Sequence, residues 1–183
     1  MKKQLVYLYG GPGTGKSTSC AGLYNLCKKS KINSEMSREY IKDWVWSKRD
    51  IKLGDQTYIM AKQTRQERIY MEAGVDVIIT DSPPPLGILY GNKYDKYERE
   101  FKTCELMWKQ HIQFYIDHGY VVHNVFLVRE KEYNPAGRLQ TKEEAIVIDT
   151  EILDMLQRLN IDYITLPCGD TVEQELFNIV MKN

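Results

Sequence analysis

The segment Gly-Gly-Pro-Gly-Thr-Gly-Lys-Ser at positions 10–17 constrains the fold of this chain more than any other part of the sequence. It fits the pattern GxxxxGK[ST], and it stands between an apolar run at 5–9 (LVYLY) and a helical pattern at 16–29. Glycines let a backbone approach a ligand closely, and a helix N-terminus favours anions. The sequence therefore predicts a strand, a polyphosphate-binding loop and a helix in succession.

The same pattern predicts which residues contact a nucleotide. Lys16 is placed to reach the β- and γ-phosphates, and the Ser17 hydroxyl is the expected ligand of Mg²⁺. The predicted nucleotide-binding residues are Gly11, Pro12, Gly13, Thr14, Gly15, Lys16, Ser17 and Thr18. ATP and Mg²⁺ are accordingly the expected cofactors.

Asp81 directly follows VDVIIT at 75–80, a run typical of a fully buried strand. Open parallel sheets form their ligand crevice at the carboxyl ends of the strands. A carboxylate at that place binds Mg²⁺ directly or through water, so Ser17 and Asp81 are the predicted metal-binding pair. The alternative is a turn or helix-cap aspartate, because Asp-Ser-Pro also favours turns.

The remaining pattern alternates strands with helices. Further strands are predicted at 32–36, 120–128 and 162–166, and further helices at 37–49, 54–71, 95–118, 141–159 and 171–181. Three prolines at 83–85 predict a stiff loop without regular structure. We expect a single three-layer α/β domain over 1–183, with about five parallel strands flanked by helices.

The amino-acid composition limits the kinds of molecule, such as nucleic acids or membranes, that the protein is expected to bind. Twenty-five Lys plus Arg balance 25 Asp plus Glu, so no overall basic field indicates nucleic-acid binding. Positions 1–91 nevertheless carry 14 basic and 9 acidic residues, which leaves a local basic face open. No apolar run reaches the ~20 residues of a spanning helix, and no signal peptide is recognisable. The expectation is a soluble cytoplasmic protein without a membrane partner or an evident stable protein partner.

The segment 129–140 has the features of a lid. Arg129 follows the strand at 120–128, Arg138 lies beside a flexible glycine, and Lys131 is a third cation. A cation on such a loop can close over transferring phosphates, so Arg129 and Arg138 are candidate catalytic residues beside Lys16 and Asp81. Exposed loop arginines without a function are the alternative.

A polar group follows the second predicted strand. Glu35, Arg38 and Glu39 lie on the expected crevice side, and Tyr40 is next to them. One glutamate could orient or deprotonate an acceptor hydroxyl, and Tyr40 could stack on a base. A solvated helix N-terminus and ordinary core packing are the alternatives.

Together these motifs resemble the small P-loop kinases, among them the ribosylnicotinamide-kinase-like ATPase domains. The likeness rests on the GGPGTGKST loop, the Ser-Arg-Glu-Tyr segment at 37–40, the strand that ends at Asp81, and the segment with Arg138 followed by Glu143 and Glu144. It covers most of the chain, in order.

The resemblance implies an ATP- and Mg²⁺-dependent kinase that phosphorylates a hydroxyl of a nucleoside-type acceptor. It implies that Arg38 and Glu39 lie near the acceptor and that Arg138 is a lid residue. The sequence departs from the family pattern at Pro83, where these kinases often have a second acidic residue. The catalytic base therefore stays open among Asp81, Glu35 and Glu39.

Two alternatives remain at this point. Basic residues interleaved with aromatic ones could follow a nucleic-acid backbone, as in a kinase acting on hydroxymethylated pyrimidine (5-hydroxymethyluracil) in DNA. These residues are Lys42, Lys48, Arg49, Lys52, Lys62, Arg65 and Arg68. The other alternative is a nucleotide-hydrolysing switch without a phosphorylated product.

Overall fold

The computed structural model describes residues 2–49, 55–94, 99–130, 132–134 and 140–182. Strands and helices alternate along these residues, as the sequence predicts. The strands are β1 (Gln4–Tyr9), β2 (Ser34–Ser37), β3 (Val77–Thr80), β4 (Val121–Val128) and β5 (Ile164–Pro167). The helices are α1 (Lys16–Lys29), α2 (Lys42–Trp46), α3 (Asp55–Glu72), α4 (Pro85–Tyr94), α5 (Arg99–Asp117), α6 (Lys142–Arg158) and α7 (Val172–Met181).

The strands form one parallel sheet in the order β2-β3-β1-β4-β5. Tyr7 of β1 pairs with Thr80 of β3, and Ser37 of β2 pairs with the same Thr80. The carboxyl ends of these three strands therefore lie side by side, at the edge where an open parallel sheet forms its crevice.

The side chains of β1 alternate between two apolar layers. Leu5, Tyr7 and Tyr9 face a core built with α3, α4, α5 and α6, whereas Val6 and Leu8 face one built with α1 and α7. Helices thus cover both faces, which confirms the predicted three-layer α/β class. No helix among the described residues is both long and apolar enough to cross a bilayer.

The helix predicted at 37–49 is mostly wrong. Ser37 is the last residue of β2, and the helix α2 covers only Lys42–Trp46. The intervening backbone is held by contacts far away in sequence: the Glu39 N–H donates to Asp81 Oδ1 (3.0 Å), and the Tyr40 N–H to Gln63 Oε1 (3.3 Å). These long-range bonds, together with strand pairing, override the local helical pattern.

The expectation of no regular structure after the prolines is also wrong. The helix α4 begins at Pro85, and the turn before it is closed by bonds from the Leu86 N–H to Pro83 O and from the Gly87 N–H to Pro84 O, each 2.9 Å. Proline is tolerated in the first turn of a helix because the N–H groups there have no helical partner. In the second half of the chain, the helix predicted at 141–159 is confirmed as α6, and Thr141 caps it in a capping box with Glu144.

Candidate functional site

The loop between β1 and α1 is wrapped around its own lysine. Lys16 Nζ donates to the carbonyl oxygens of Gly10 (2.5 Å) and Gly11 (3.0 Å). The Thr14 hydroxyl donates to Gly11 O at 2.9 Å. These bonds curl the backbone into a closed turn at the N-terminus of α1, which is the arrangement that binds phosphate groups.

Two glycines of the loop are required by their neighbours. A Cβ at Gly11 would lie 2.6 Å from the carbonyl oxygen of Ala145 in α6. Gly13 has φ +81°, and a Cβ there would lie 2.9 Å from the Tyr133 ring. The loop is therefore packed against α6 and against the described part of the predicted lid.

Ser17 and Asp81 meet at the carboxyl end of β3. The Ser17 hydroxyl donates to Asp81 Oδ2 at 2.5 Å, and Asp81 is only 3% exposed. A hydroxyl and a carboxylate are hard oxygen ligands, which suit Mg²⁺ together with phosphate oxygens and water. Across the residues that the structure describes, no group of three His, Cys, Asp or Glu side chains could hold a metal.

Cys20 lies beneath this pair and is fully buried. Burial raises the pKa of its thiol well above the ordinary value, and the Asp81 carboxylate adds to the rise while Lys16 opposes it. The thiol stays protonated at neutral pH. It therefore packs as a small apolar group and is not a nucleophile.

Arg129 is fixed by a residue that the sequence analysis did not single out. Asp149 of α6 accepts from Arg129 Nη2 (2.9 Å) and Nε (3.1 Å) through Oδ2, and from the Gly11 N–H (2.5 Å) through Oδ1. One carboxylate thus joins the phosphate loop, the end of β4 and α6. Arg129 Nη1 is buried without a hydrogen-bond partner among the residues that the structure describes, and it lies on the side of the guanidinium nearest Gly13.

A cleft of about 270 Å³ begins at the phosphate loop and continues between α2, α3 and α4. Its loop end is formed by Pro12, Gly13, Gly15, Lys16, Ser17 and Thr18. The other end is formed by Glu39, Ile41, Lys42, Val45, Gln56, Ile59, Met60, Gln63, Ser82, Pro83, Pro84, Leu86, Gly87 and Tyr90, with Gln140 also at the cleft.

Gln63 connects the helical end of the cleft, between α2, α3 and α4, to the sheet. Its Nε2 donates to the hydroxyls of Ser37 (2.8 Å) and Thr80 (3.1 Å), while its Oε1 accepts from the Tyr40 N–H. A buried amide with these bonds rigidifies the strand ends on which Glu39 and Asp81 depend.

The structure brings the predicted loop residues, Asp81 and Glu39 together, but it places Glu35 elsewhere. Glu35 does not line the cleft; its Oε1 lies 3.2 Å from Lys28 Nζ at the outer surface beside α1. The role of Glu35 in substrate binding therefore stays a prediction.

Arg38 and Tyr40 are also outside the cleft lining. Arg38 is exposed, and Tyr40 packs edge-on against Trp44 and Tyr58 with its hydroxyl 3.2 Å from that of Tyr58. Their proposed contact with an acceptor has no counterpart in this geometry. Lys131 and Arg138 lie outside the described residues, so the lid role of Arg138 stays a prediction.

Four of the basic residues that could follow a nucleic-acid backbone contact other side chains of the protein. The Arg49 guanidinium lies 3.5 Å from the centre of the Trp44 ring, and Arg65 pairs with Glu72 at 3.4 Å. Lys62 and Arg68 lie over the rings of Tyr58 and Phe114. Lys52 is outside the described residues. These contacts account for four of the cations without a nucleic-acid backbone.

Solved structures of other proteins share this architecture. The NadR protein in complex with NR matches with a TM-score of 0.73 at 17% identity, over 98% of this chain and 51% of that one. The chain therefore spans about half the length of that NadR protein. APS kinase CysC of Mycobacterium tuberculosis, in complex with AMPPNP and APS, matches with a TM-score of 0.53 at 11% identity, over 100% of this chain and 99% of that one. At such identities the likeness establishes the fold.

The sequence comparisons give a second, independent assignment. Among curated proteins, no sequence is significantly similar to this chain. A family model described as an AAA domain matches residues 5–174, from β1 through the loop, Asp81 and Arg129 into α7. Because that match covers nearly the whole chain and includes the nucleotide-binding parts described above, the protein belongs to the AAA domain family of P-loop proteins.

Proposed function

We propose that the protein is an ATP-dependent kinase that transfers the γ-phosphoryl group to a hydroxyl of a nucleoside-type acceptor. The observation that carries the proposal is the continuity of the cleft, which joins the phosphate loop to a largely apolar pocket between α2, α3 and α4. A donor site and an acceptor site in one cleft are what in-line transfer between two bound molecules requires.

The loop supplies the donor half of the proposed reaction. Its N–H groups and Lys16 would bind the triphosphate, with the Lys16 ammonium leaving the carbonyl oxygens of Gly10 and Gly11 for phosphate oxygens. Mg²⁺ held by Ser17 and Asp81 would neutralise phosphate charge. Arg129, held by Asp149, adds a cation beside the loop.

Glu39 is the candidate for the catalytic base. It lines the cleft, and its N–H is held by Asp81, so its backbone is fixed at the junction of the donor and acceptor halves. Asp81 already accepts from the Ser17 hydroxyl and from the Glu39 N–H, which favours a metal-binding role for it. The alternative assignment is that the Asp81 carboxylate is the base and accepts the proton of the acceptor hydroxyl.

The size and lining of the acceptor half favour a small molecule. Apolar side chains of Ile59, Met60 and Leu86 can pack against the faces of a ring, and polar groups are few, which is typical of small-molecule pockets. The NadR protein was solved in complex with NR, and APS kinase CysC in complex with AMPPNP and APS.

The direct test is transfer of label from γ-labelled ATP with Mg²⁺ to free nucleosides, including ribosylnicotinamide, and in parallel to DNA with and without hydroxymethylated pyrimidines. The Lys16→Ala variant is the matched control. We expect label on a free nucleoside and none with the variant. Label on DNA would replace the small-molecule acceptor by a polymer, and label in inorganic phosphate alone would support the hydrolytic switch.

A further inference from the structure

The strongest unexplained feature of the cleft is the side chain of Gln56, the second residue of α3. Gln56 is 5% exposed and lines the cleft, yet its amide makes no hydrogen bond to any residue that the structure describes. The fully buried polar atoms that lack a partner among the described residues do not include those of Gln56, so its amide meets the open space of the cleft. A polar group in such a pocket loses its water when a ligand fills the space and then needs another partner. A bound molecule in the cleft would supply the missing partners.

Gln63 provides a comparison within the same helix. It lies seven residues after Gln56, about two helical turns, so both amides point to the same side of α3. Gln63 is 3% exposed and is bonded to Ser37, Thr80 and the Tyr40 N–H. The two glutamines therefore differ in their hydrogen bonds. The amide of Gln63 is bonded to other groups of the protein, whereas the amide of Gln56 makes no hydrogen bond to the described residues and is available to a ligand in the cleft.

The surroundings of Gln56 indicate what kind of group it would meet. Ile59 and Met60 follow it on α3, and Leu86 and Val45 face the same cleft from α4 and α2. Among the described lining residues, the charged side chains are those of Lys16 at the phosphate loop and of Glu39 and Lys42, just before and at the start of α2, and none lies on α3 or α4. An ionic group on the α3–α4 side would lose its hydration without a counter-charge on those two helices.

We propose that Gln56 recognises the acceptor through an uncharged edge that carries a hydrogen-bond donor beside an acceptor, such as a carboxamide or the edge of a pyrimidine base. A glutamine amide offers one carbonyl oxygen and two N–H donors, so it pairs with such an edge in a bidentate manner. This inference rests on the proposed kinase function, because it assigns the acceptor half of the same cleft.

The test measures binding, so that it does not depend on turnover. Uridine, cytidine and ribosylnicotinamide carry an edge of this type, while phenyl riboside has the ribose and a flat ring without it. Affinities are measured by titration calorimetry on the complex with Mg²⁺ and AMPPNP. The variant Gln56→Leu keeps the volume and removes the amide, and Gln66→Leu, on the same helix but away from the cleft lining, is the control.

We expect at least one edge-bearing nucleoside to bind the wild type about 10-fold or more tightly than phenyl riboside. Gln56→Leu should reduce that preference to within about twofold, without weakening AMPPNP binding, and Gln66→Leu should retain it. Because the Gln56 amide makes no hydrogen bond to the described part of the chain, the leucine variant should also keep its melting temperature.

Three outcomes would overturn the inference: no preference for the edge in the wild type, a preference that survives in Gln56→Leu, or no binding of any edge-bearing nucleoside. Each is distinguishable from failure of the kinase proposal. Selective binding that depends on Gln56 without any phosphate transfer would contradict the kinase function alone. Transfer to a nucleoside with full efficiency in Gln56→Leu would contradict the role of Gln56 alone.

Discussion

The two ends of the cleft are built in different ways. At the loop end the polar groups are bonded to one another: Lys16 to carbonyl oxygens of its own loop, Ser17 to Asp81, and the Gly11 N–H to Asp149. At the other end, side chains from three helices form a mostly apolar wall. The amide of Gln56 lies in this wall and makes no hydrogen bond to any residue that the structure describes. The difference suggests that the loop end determines the chemistry and the helical end determines the acceptor.

The largest expected effect is at the loop end. Lys16→Ala should lower the rate of phosphate transfer by about 10³-fold or more, because a cation is removed from the transferring group. The fold should persist, since the ammonium faces loop carbonyl oxygens and the cleft instead of an apolar core. Transfer rates and circular dichroism check both statements; an unfolded variant, or one with wild-type rates, would contradict them.

Glu39 lies where the two ends meet, and its role can be separated from that of Asp81. Glu39→Gln should lower kcat by about 100-fold and remove the acidic limb of the pH–rate profile, because a base must be ionised to accept a proton. Its backbone N–H, and hence the bond to Asp81, is retained in the variant. If the acidic limb persists with kcat little changed, the base assignment passes to Asp81.

The two glutamines of α3 offer a stability comparison. Gln63→Leu should reduce the free energy of unfolding by about 2–3 kcal/mol, since it leaves the buried hydroxyls of Ser37 and Thr80 and the Tyr40 N–H with a lost partner. Gln56→Leu should change it by less than about 0.5 kcal/mol. Urea unfolding of both variants measures the difference, and equal losses would show that Gln56 also has a structural partner.

Asp149 is expected to affect nucleotide binding through Arg129, and its substitution should have a smaller effect than those above. Asp149→Asn should weaken binding of Mg·ATP about 10-fold, because the charged partner that orients the guanidinium is lost while an oxygen remains for the Gly11 N–H. In an Arg129→Ala background the same substitution should add little, as expected for two residues that act as a unit. Asp154→Asn, exposed on the same helix, is the control.

A purely structural role for Asp149 would give a different result. The effects of Asp149→Asn and Arg129→Ala on ATP affinity would then add, and the loss in Asp149→Asn would follow its melting temperature. This double-mutant cycle requires no phosphate acceptor, so it remains informative whatever the acceptor is.

The loop end could be predicted from sequence because its determinants are local. The strand β1, the glycines, Lys16 and α1 are contiguous, and the bounds of α1 were predicted to the residue. Asp81 joins Ser17 because both follow parallel strand ends, which chain order and strand direction already imply.

The acceptor end could not be predicted because its contacts are long-range. Residues 37–41 have a helical pattern, but pairing of β2 with β3 and the bonds to Gln63 and Asp81 hold them extended or in turns. The prolines at 83–85 suggested a loop, although Pro85 begins α4. Asp149 lies between Ile148 and Thr150 in the middle of α6, and only the fold brings it to Gly11.

The central claim is that one cleft holds donor and acceptor together. A bisubstrate compound tests it most directly: the nucleoside that is the best acceptor, linked through its hydroxyl to the terminal phosphate of ATP, with affinity measured by calorimetry. We expect this compound to bind about 100-fold more tightly than AMPPNP, because the second contact becomes intramolecular, and we expect Gln56→Leu to lose most of that gain. Binding no tighter than that of AMPPNP would contradict a shared cleft.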